Sequence, residues 1–533
     1  MFAAALPPSH PVPAQDDLPP VGRSRFDQLI GSQPVPYPFP RLVDTINRQM
    51  RTDAGGLRPL KATLIPLGRS LQRDAGAPDF FRFPRVVAAA DGDNRPGHAP
   101  LKDRLFLGFH ETGKVIEVIS YNDDAGRFEF QVVRDYTKGK TPQVFYARRS
   151  LCLACHQNAA PIFARPLWDE TPANPAIAGR LKDARRDFYR VRLTGTDIAY
   201  FIDAATDRAN LFSVWQTLWQ QGCGPGVDGE RCRLQTFSAA VDYARHGTLP
   251  AADSLPELDR NWTRRWPRGL AIPNPDLPNR DPLAALQDRD NDPLLLRPPL
   301  ETWTRPDKTA FVVGLAGMLD VHAARLIKQA DLTAPLERLR ARGAFAARPF
   351  THTLLDDLQA ELGTPRRTRP ASLPPARTEP ALTARDAGPL VAPFRTHCAS
   401  CHDTTLPHPP NFLHGDPAEV EARLDHCAPR MFVRLSMAGI PAAQRTRPPM
   451  PPAAALAGRG IDTAHWAASP ELAVLKRLVA SRLRGQDPAS LLRQPYAQLP
   501  PCLPSSSYTE NTRCARPKPA APAAASSSGP SSR

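Results

Sequence analysis

Short hydrophobic runs broken by polar turn residues mark the chain most clearly between residues 105 and 133. Segments 105–110, 115–121 and 128–133 are rich in β-branched and aromatic residues. Thr112-Gly113 and Asn122-Asp123-Asp124-Ala125-Gly126 supply turn residues between them. That pattern predicts a β-meander. Further along, the period becomes helical. Leu211, Phe212, Trp215, Leu218 and Trp219 fall on one face, 234–245 reads as a second helix ended by Gly247, and 309–328 is the longest candidate. On that last segment Leu315, Leu319, His322 and Leu326 form one apolar stripe, and Gly314 and Gly317 would admit a flat group close to the backbone.

Between these segments the pattern breaks. Residues 256–306 are dense in Pro, Asp and Asn and read as a long surface loop. The expected organisation is a Pro-rich segment 1–25, a first domain 26–363, a linker 364–389, a small helical domain 390–495 and a Pro/Ala/Ser-rich tail 496–533. The fold class that follows is multi-domain α+β. Its N-terminal part mixes a β-meander with helices and its C-terminal part is all-α.

Composition changes this picture in three places. The 62 prolines among 533 residues support long irregular connections. No run of 18 apolar residues occurs, so no transmembrane helix is expected. The net charge of +15 comes without an aromatic-interleaved basic cluster, zinc spacing or recognition-helix signature, so nucleic acid is not the expected partner. A basic surface instead suits an acidic redox partner protein.

The candidate chemistry lies in the cysteines. Cys152-Leu153-Ala154-Cys155-His156 and Cys398-Ala399-Ser400-Cys401-His402 share the Cys-x-x-Cys-His pattern. Two thiols at that spacing can each add to a vinyl group of one porphyrin, and the adjacent imidazole then faces the iron. A thioredoxin-type motif has no use for the trailing histidine, and a zinc site needs two further ligands. The expectation is two covalently bound haem c groups, held by Cys152, Cys155, Cys398 and Cys401, with His156 and His402 as iron ligands.

Five cysteines remain. Cys223–Cys232 and Cys502–Cys514 flank short loops and are expected to pair as disulfides, leaving Cys427 over. With the haem motifs, these pairs predict a periplasmic or otherwise exported protein. No Lys or Arg precedes Arg23 and the apolar run 1–6 is short, so the expected leader is one removed or lying upstream.

The C-terminal domain resembles a class I cytochrome c over roughly 100 residues. Phe394 stands four residues before Cys398, Arg447-Pro448-Pro449-Met450-Pro451-Pro452 looks like that family's methionine loop, and Trp466 with Leu472, Leu475, Leu478 and Val479 looks like its final helix. Leu390, where glycine is usual, and the extra Cys427 depart from the pattern. The resemblance implies His402 and Met450 as axial ligands, with Met431 and Met437 as competitors. A thioether raises the potential of its iron, and flanking prolines hold the sulfur at low entropic cost.

The first motif follows no class I pattern. Candidates for its sixth ligand are His98, His110, His246, His322, His352 and Met318, with His322 singled out by its stripe. Arg165, Trp168, Asp169 and Glu170 lie just past the motif and suit an open iron instead. The expected function is electron transfer. The alternatives are a di-haem oxidoreductase of peroxidase or oxygenase type with an open first iron, and a haem-based sensor.

Overall fold

The segment 105–133 is the centre of a six-stranded antiparallel sheet in the computed structural model of the chain. The structure describes residues 18–52, 56, 58–66, 79–153, 156, 158–164, 170–193, 197–251, 253–272, 274–277, 301–364, 373–378, 388–403, 410–457, 461–500 and 502. The strands are β1 (Leu60–Ile65), β2 (Arg85–Ala90), β3 (Leu105–His110), β4 (Val115–Asn122), β5 (Arg127–Arg134) and β6 (Gln143–Tyr146), and they pair in chain order. The three strands of the expected meander lie within a residue of their predicted bounds.

The sheet is buried on both faces. Helices α1 (Arg25–Ile30) and α2 (Phe39–Asn47) cover one face, burying Phe26, Phe39 and Leu42 against Ile116, Val118 and Leu107. Ser24 caps α1 by accepting from Asp27 N, and Phe26 N donates to Ser120 Oγ of β4. The short α3 (Asp79–Arg82) lies between β1 and β2. On the other face, Phe106 pairs with Ile119 and Ile119 with Phe130 across the strands. That face receives α4 (Arg149–Leu153) at one end and the helical lobe at the other.

The lobe begins after α5 (Pro175–Asp183). It contains α6 (Asp197–Thr217), a π turn (Leu218–Gly222), α7 (Gly226–His246), α8 (Pro256–Arg265), α9 (Lys308–Met318), α10 (Val321–Arg325), α11 (Thr333–Ala341) and α12 (Thr353–Glu361). Helix α7 ends at Gly247, whose φ of 75° is the left-handed conformation that its place after the helix calls for.

Two expectations are corrected here. Segment 256–306 is not one loop: Pro256 opens α8, which buries Leu258 and Trp262, and Leu270–Ile272 pairs with Glu301–Trp303. Nor is 309–328 one helix. It stops at Met318 and restarts at Val321, because Asp320 accepts from Ala323 N and caps a new helix. The break splits the stripe, leaving Leu319 buried and Leu326 59% exposed. Gly314 is packed against the Trp215 indole, so its missing side chain serves helix–helix contact.

The C-terminal unit comprises α13 (Ala392–His402), α14 (Pro417–Ser436), α15 (Ala453–Ala457), α16 (Thr463–Ala467), α17 (Pro470–Ala480) and α18 (Pro488–Arg493). It has its own core of Phe394, Leu424, Trp466, Leu475 and Val479. Both α13 and α14 pack on α17. Asp416 and Glu419 form a reciprocal capping box at the start of α14.

Candidate metal centres

The first motif lies on the sheet. Arg149 opens α4 and is buried. Its guanidinium donates to the Phe128 carbonyl, lies 3.4 Å from Glu129 Oε2 and sits 5.7 Å over the Phe130 ring. Burial lowers the Arg149 pKa, while the Glu129 carboxylate opposes that shift. Cys152 is half-buried against the cluster of Phe130, Ala147 and Leu153. One turn on, His156 N donates to Cys152 O at 2.8 Å, the i→i−4 bond of a helical turn, which ties the histidine's main chain to that of the first cysteine. Cys155 lies outside the described residues.

The His156 ring is held on two sides. Phe130 packs against it at 5.4 Å, and its Nδ1 lies 3.0 Å from Ala160 O. A carbonyl can only accept, so Nδ1 carries the proton, and in the neutral ring Nε2 is then the nitrogen able to ligate a metal. The loop bearing that carbonyl is fixed from α6. The buried Asn210 donates to Pro161 O at 2.8 Å and accepts from Asn158 Nδ2 at 3.0 Å. Arg165, Trp168 and Asp169 lie outside the described residues, and Glu170 is buried.

The second motif occupies the last turn of α13, with Phe394 fully buried one turn ahead of Cys398. Cys398 and Cys401 are half-buried. His402 repeats the arrangement of His156. Its Nδ1 lies 2.7 Å from Pro410 O, and Phe412 stacks on its ring at 4.3 Å. Two chemically similar imidazoles, in unrelated surroundings, thus each give Nδ1–H to a main-chain carbonyl, the orientation typical of a metal-ligating histidine. Asp403 follows and takes Arg395 Nη1 at 2.8 Å and His414 Nδ1 at 3.3 Å.

Of the methionines, Met450 is half-buried in the proline-flanked loop. Arg434 of α14 clamps that loop: its carbonyl accepts from Met450 N at 3.1 Å, and its Nε donates to Pro448 O at 2.6 Å. Met431 and Met437 belong to the core, and the Met437 sulfur accepts from Thr446 Oγ1 at 3.7 Å.

His322 lies on α10, which packs against α7, whereas α4 packs against β5, α13 and α15. His352 Nδ1 is 3.2 Å from Asp123 Oδ1, and Met318 is buried with its carbonyl accepting from Arg104. His110 Nε2 is 3.1 Å from Thr112 Oγ1.

One cysteine pairing stands as expected and one is corrected. Cys223 and Cys232 are bonded, but Cys502 is bonded to Cys427, not to Cys514. The chain after α18 returns across α14, where Arg430 donates to Leu499 O at 2.8 Å, and this brings Cys502 to the buried Cys427. Cys514 lies outside the described residues.

Sequence reasoning missed Phe130, Asn210, Arg434 and the two acceptor carbonyls. A carbonyl leaves no mark in the sequence, and the others are distant from the motifs they serve. Comparisons of the chain with family models, with curated proteins and with solved structures return no match. Among the described residues no helix is long and apolar enough to cross a membrane.

Proposed function

We propose that this chain is an exported di-haem c-type cytochrome whose work is electron transfer. The observation that carries the reading is the shared state of His156 and His402, each giving Nδ1–H to a main-chain carbonyl, the tautomer in which Nε2 is the nitrogen able to ligate iron. Cys152 and Cys155 would hold one haem by thioethers, and Cys398 and Cys401 the other. When bound, each haem supplies a one-electron ferric/ferrous couple. The residues around it do the rest. Phe130 and Phe412 pack the two imidazole rings and keep them from turning. The Ala160 and Pro410 carbonyls raise imidazole basicity. Arg434 ties down the Met450 N–H and the Pro448 carbonyl just ahead of it, holding the soft ligand assigned to the second centre. Pairing of Cys223 with Cys232 and of Cys427 with Cys502 suits an oxidising compartment.

Electron paramagnetic resonance of the oxidised holoprotein, followed by titration with cyanide and hydrogen peroxide, tests this reading. Two low-spin centres that ignore both ligands are expected for a relay. A high-spin first centre with rapid peroxide turnover would overturn it in favour of the oxidoreductase. His322→Ala tests the proposed sixth ligand: conversion of the first centre to high spin assigns it, and an unchanged spectrum removes it.

A further inference from the structure

We propose that the two centres form one electronically coupled pair, with α4 and α13 as their shared interface, so that each is the other's electron partner within the chain. This rests on the reading of both motifs as haem sites.

Three elements converge. Helix α4 carries Cys152, α13 carries Cys398, Cys401 and His402, and α15 follows the Met450 loop. Cα atoms of α4 approach those of both α13 and α15 within 8 Å, the spacing of directly packed helices. The motifs are far apart in sequence, and nothing in either one requires them to meet.

A clamp fixes the approach. Between the two domains, residues 373–378 run along the outer edge of β6. Tyr146 N donates to Arg377 O at 2.7 Å, and Tyr146 bridges to Thr378 in parallel register. Arg23 donates to the Pro374 carbonyl, and Arg377 Nη1 lies 3.4 Å from Gln143 Oε1. Tyr146 is itself anchored, its hydroxyl donating to Asp27 Oδ2 at 2.7 Å and accepting from Ser24 N at 3.1 Å. It stands three residues before Arg149, the first residue of α4. The connecting segment is thus tied to the sheet just ahead of the first motif, and α13 begins only a short stretch of chain later. The pairing also covers an edge strand that would otherwise present open main-chain groups. Electron tunnelling falls steeply with distance, so two porphyrins attached to directly packed helices exchange electrons faster than either does with a diffusing partner.

The test is Soret circular dichroism of the intact oxidised protein. Two porphyrins close enough to couple give a bisignate band, with positive and negative lobes. We expect that couplet, and we expect the double variant Cys398→Ser, Cys401→Ser to keep the first haem while losing one lobe and shifting its midpoint potential. Two attached haems with a single-signed band in the intact protein, and a first-haem potential indifferent to loss of the second, would overturn the coupling and leave the haem reading intact. A chain that attaches no haem overturns both. The intact-protein spectrum decides the matter even if the variant fails to fold.

Discussion

Each histidine in a Cys-x-x-Cys-His motif must present one particular nitrogen, and here the main chain does the selecting. Asn210 supports that selection from a distance. It holds Pro161 O and Asn158, the residues that bracket the carbonyl facing His156. Asn210→Ala should leave the buried Pro161 carbonyl unsatisfied, lower stability by about 1–3 kcal/mol, and shift the first haem's potential while the second stays put; paired thermal melts and potentiometric titrations read both. Met450→Ala should remove the sulfur-to-iron charge-transfer band and lower the second potential without releasing haem. An unchanged spectrum would move the assignment to Met431, Met437 or a histidine. At this scale the motifs were fully legible, because their chemistry is local. Asn210 and Phe130 were not, because they act through a fold that brings residues dozens of positions away to the ring.

Elements were legible where one period dominated. The strands around residues 105–133 emerged from their β-branched and aromatic content and the turn residues between them, and Gly247 announced the end of α7. Segment 309–328 misled because its apolar stripe runs across Asp320, a helix cap that periodicity does not register. The expected Cys502–Cys514 pairing failed for a related reason, while Cys223–Cys232 held. Cys502 and Cys514 are near neighbours in sequence, but packing of the last segment on α14 brings Cys502 to Cys427. The Cys427–Cys502 bond closes a span of 75 residues, for which loop entropy gives about 4 kcal/mol of stabilisation. Cys427→Ser should therefore lower the stability of the C-terminal unit by about 2–4 kcal/mol, whereas Cys514→Ser should leave it unchanged. Denaturant titration of the two variants separates these outcomes, and the reverse pattern, with Cys514→Ser the destabilising change, would restore the Cys502–Cys514 pairing.

Across the whole molecule, a buried charge cluster joins the layers. Asp123, in the turn between β4 and β5, lies 2.8 Å from Arg25 Nη2 of α1 and 3.2 Å from His352 Nδ1 at the start of α12. Burial alone would raise the Asp123 carboxyl, but Arg25, His352 and Arg104 together hold it below its ordinary value of 3.8. A carboxyl that titrates lower folded than unfolded contributes its full stabilisation above the unfolded value and loses it as the pH falls toward the folded one. Stability should therefore drop as pH falls below about 4. Asp123→Asn should cost about 3–5 kcal/mol at neutral pH by leaving buried arginines uncompensated, and it should flatten that acid limb. An acid limb of unchanged slope in the variant would assign the loss to other carboxylates. The central claim is simpler than any of these: the chain carries two haems, each attached by its own motif. Intact-mass spectrometry of the denatured protein, purified from a host with a working cytochrome maturation system, tests it most directly. The account predicts a mass gain of two haems, falling to one when either motif's cysteines are replaced by serine. A wild-type chain that keeps one haem or none under denaturing conditions would contradict it.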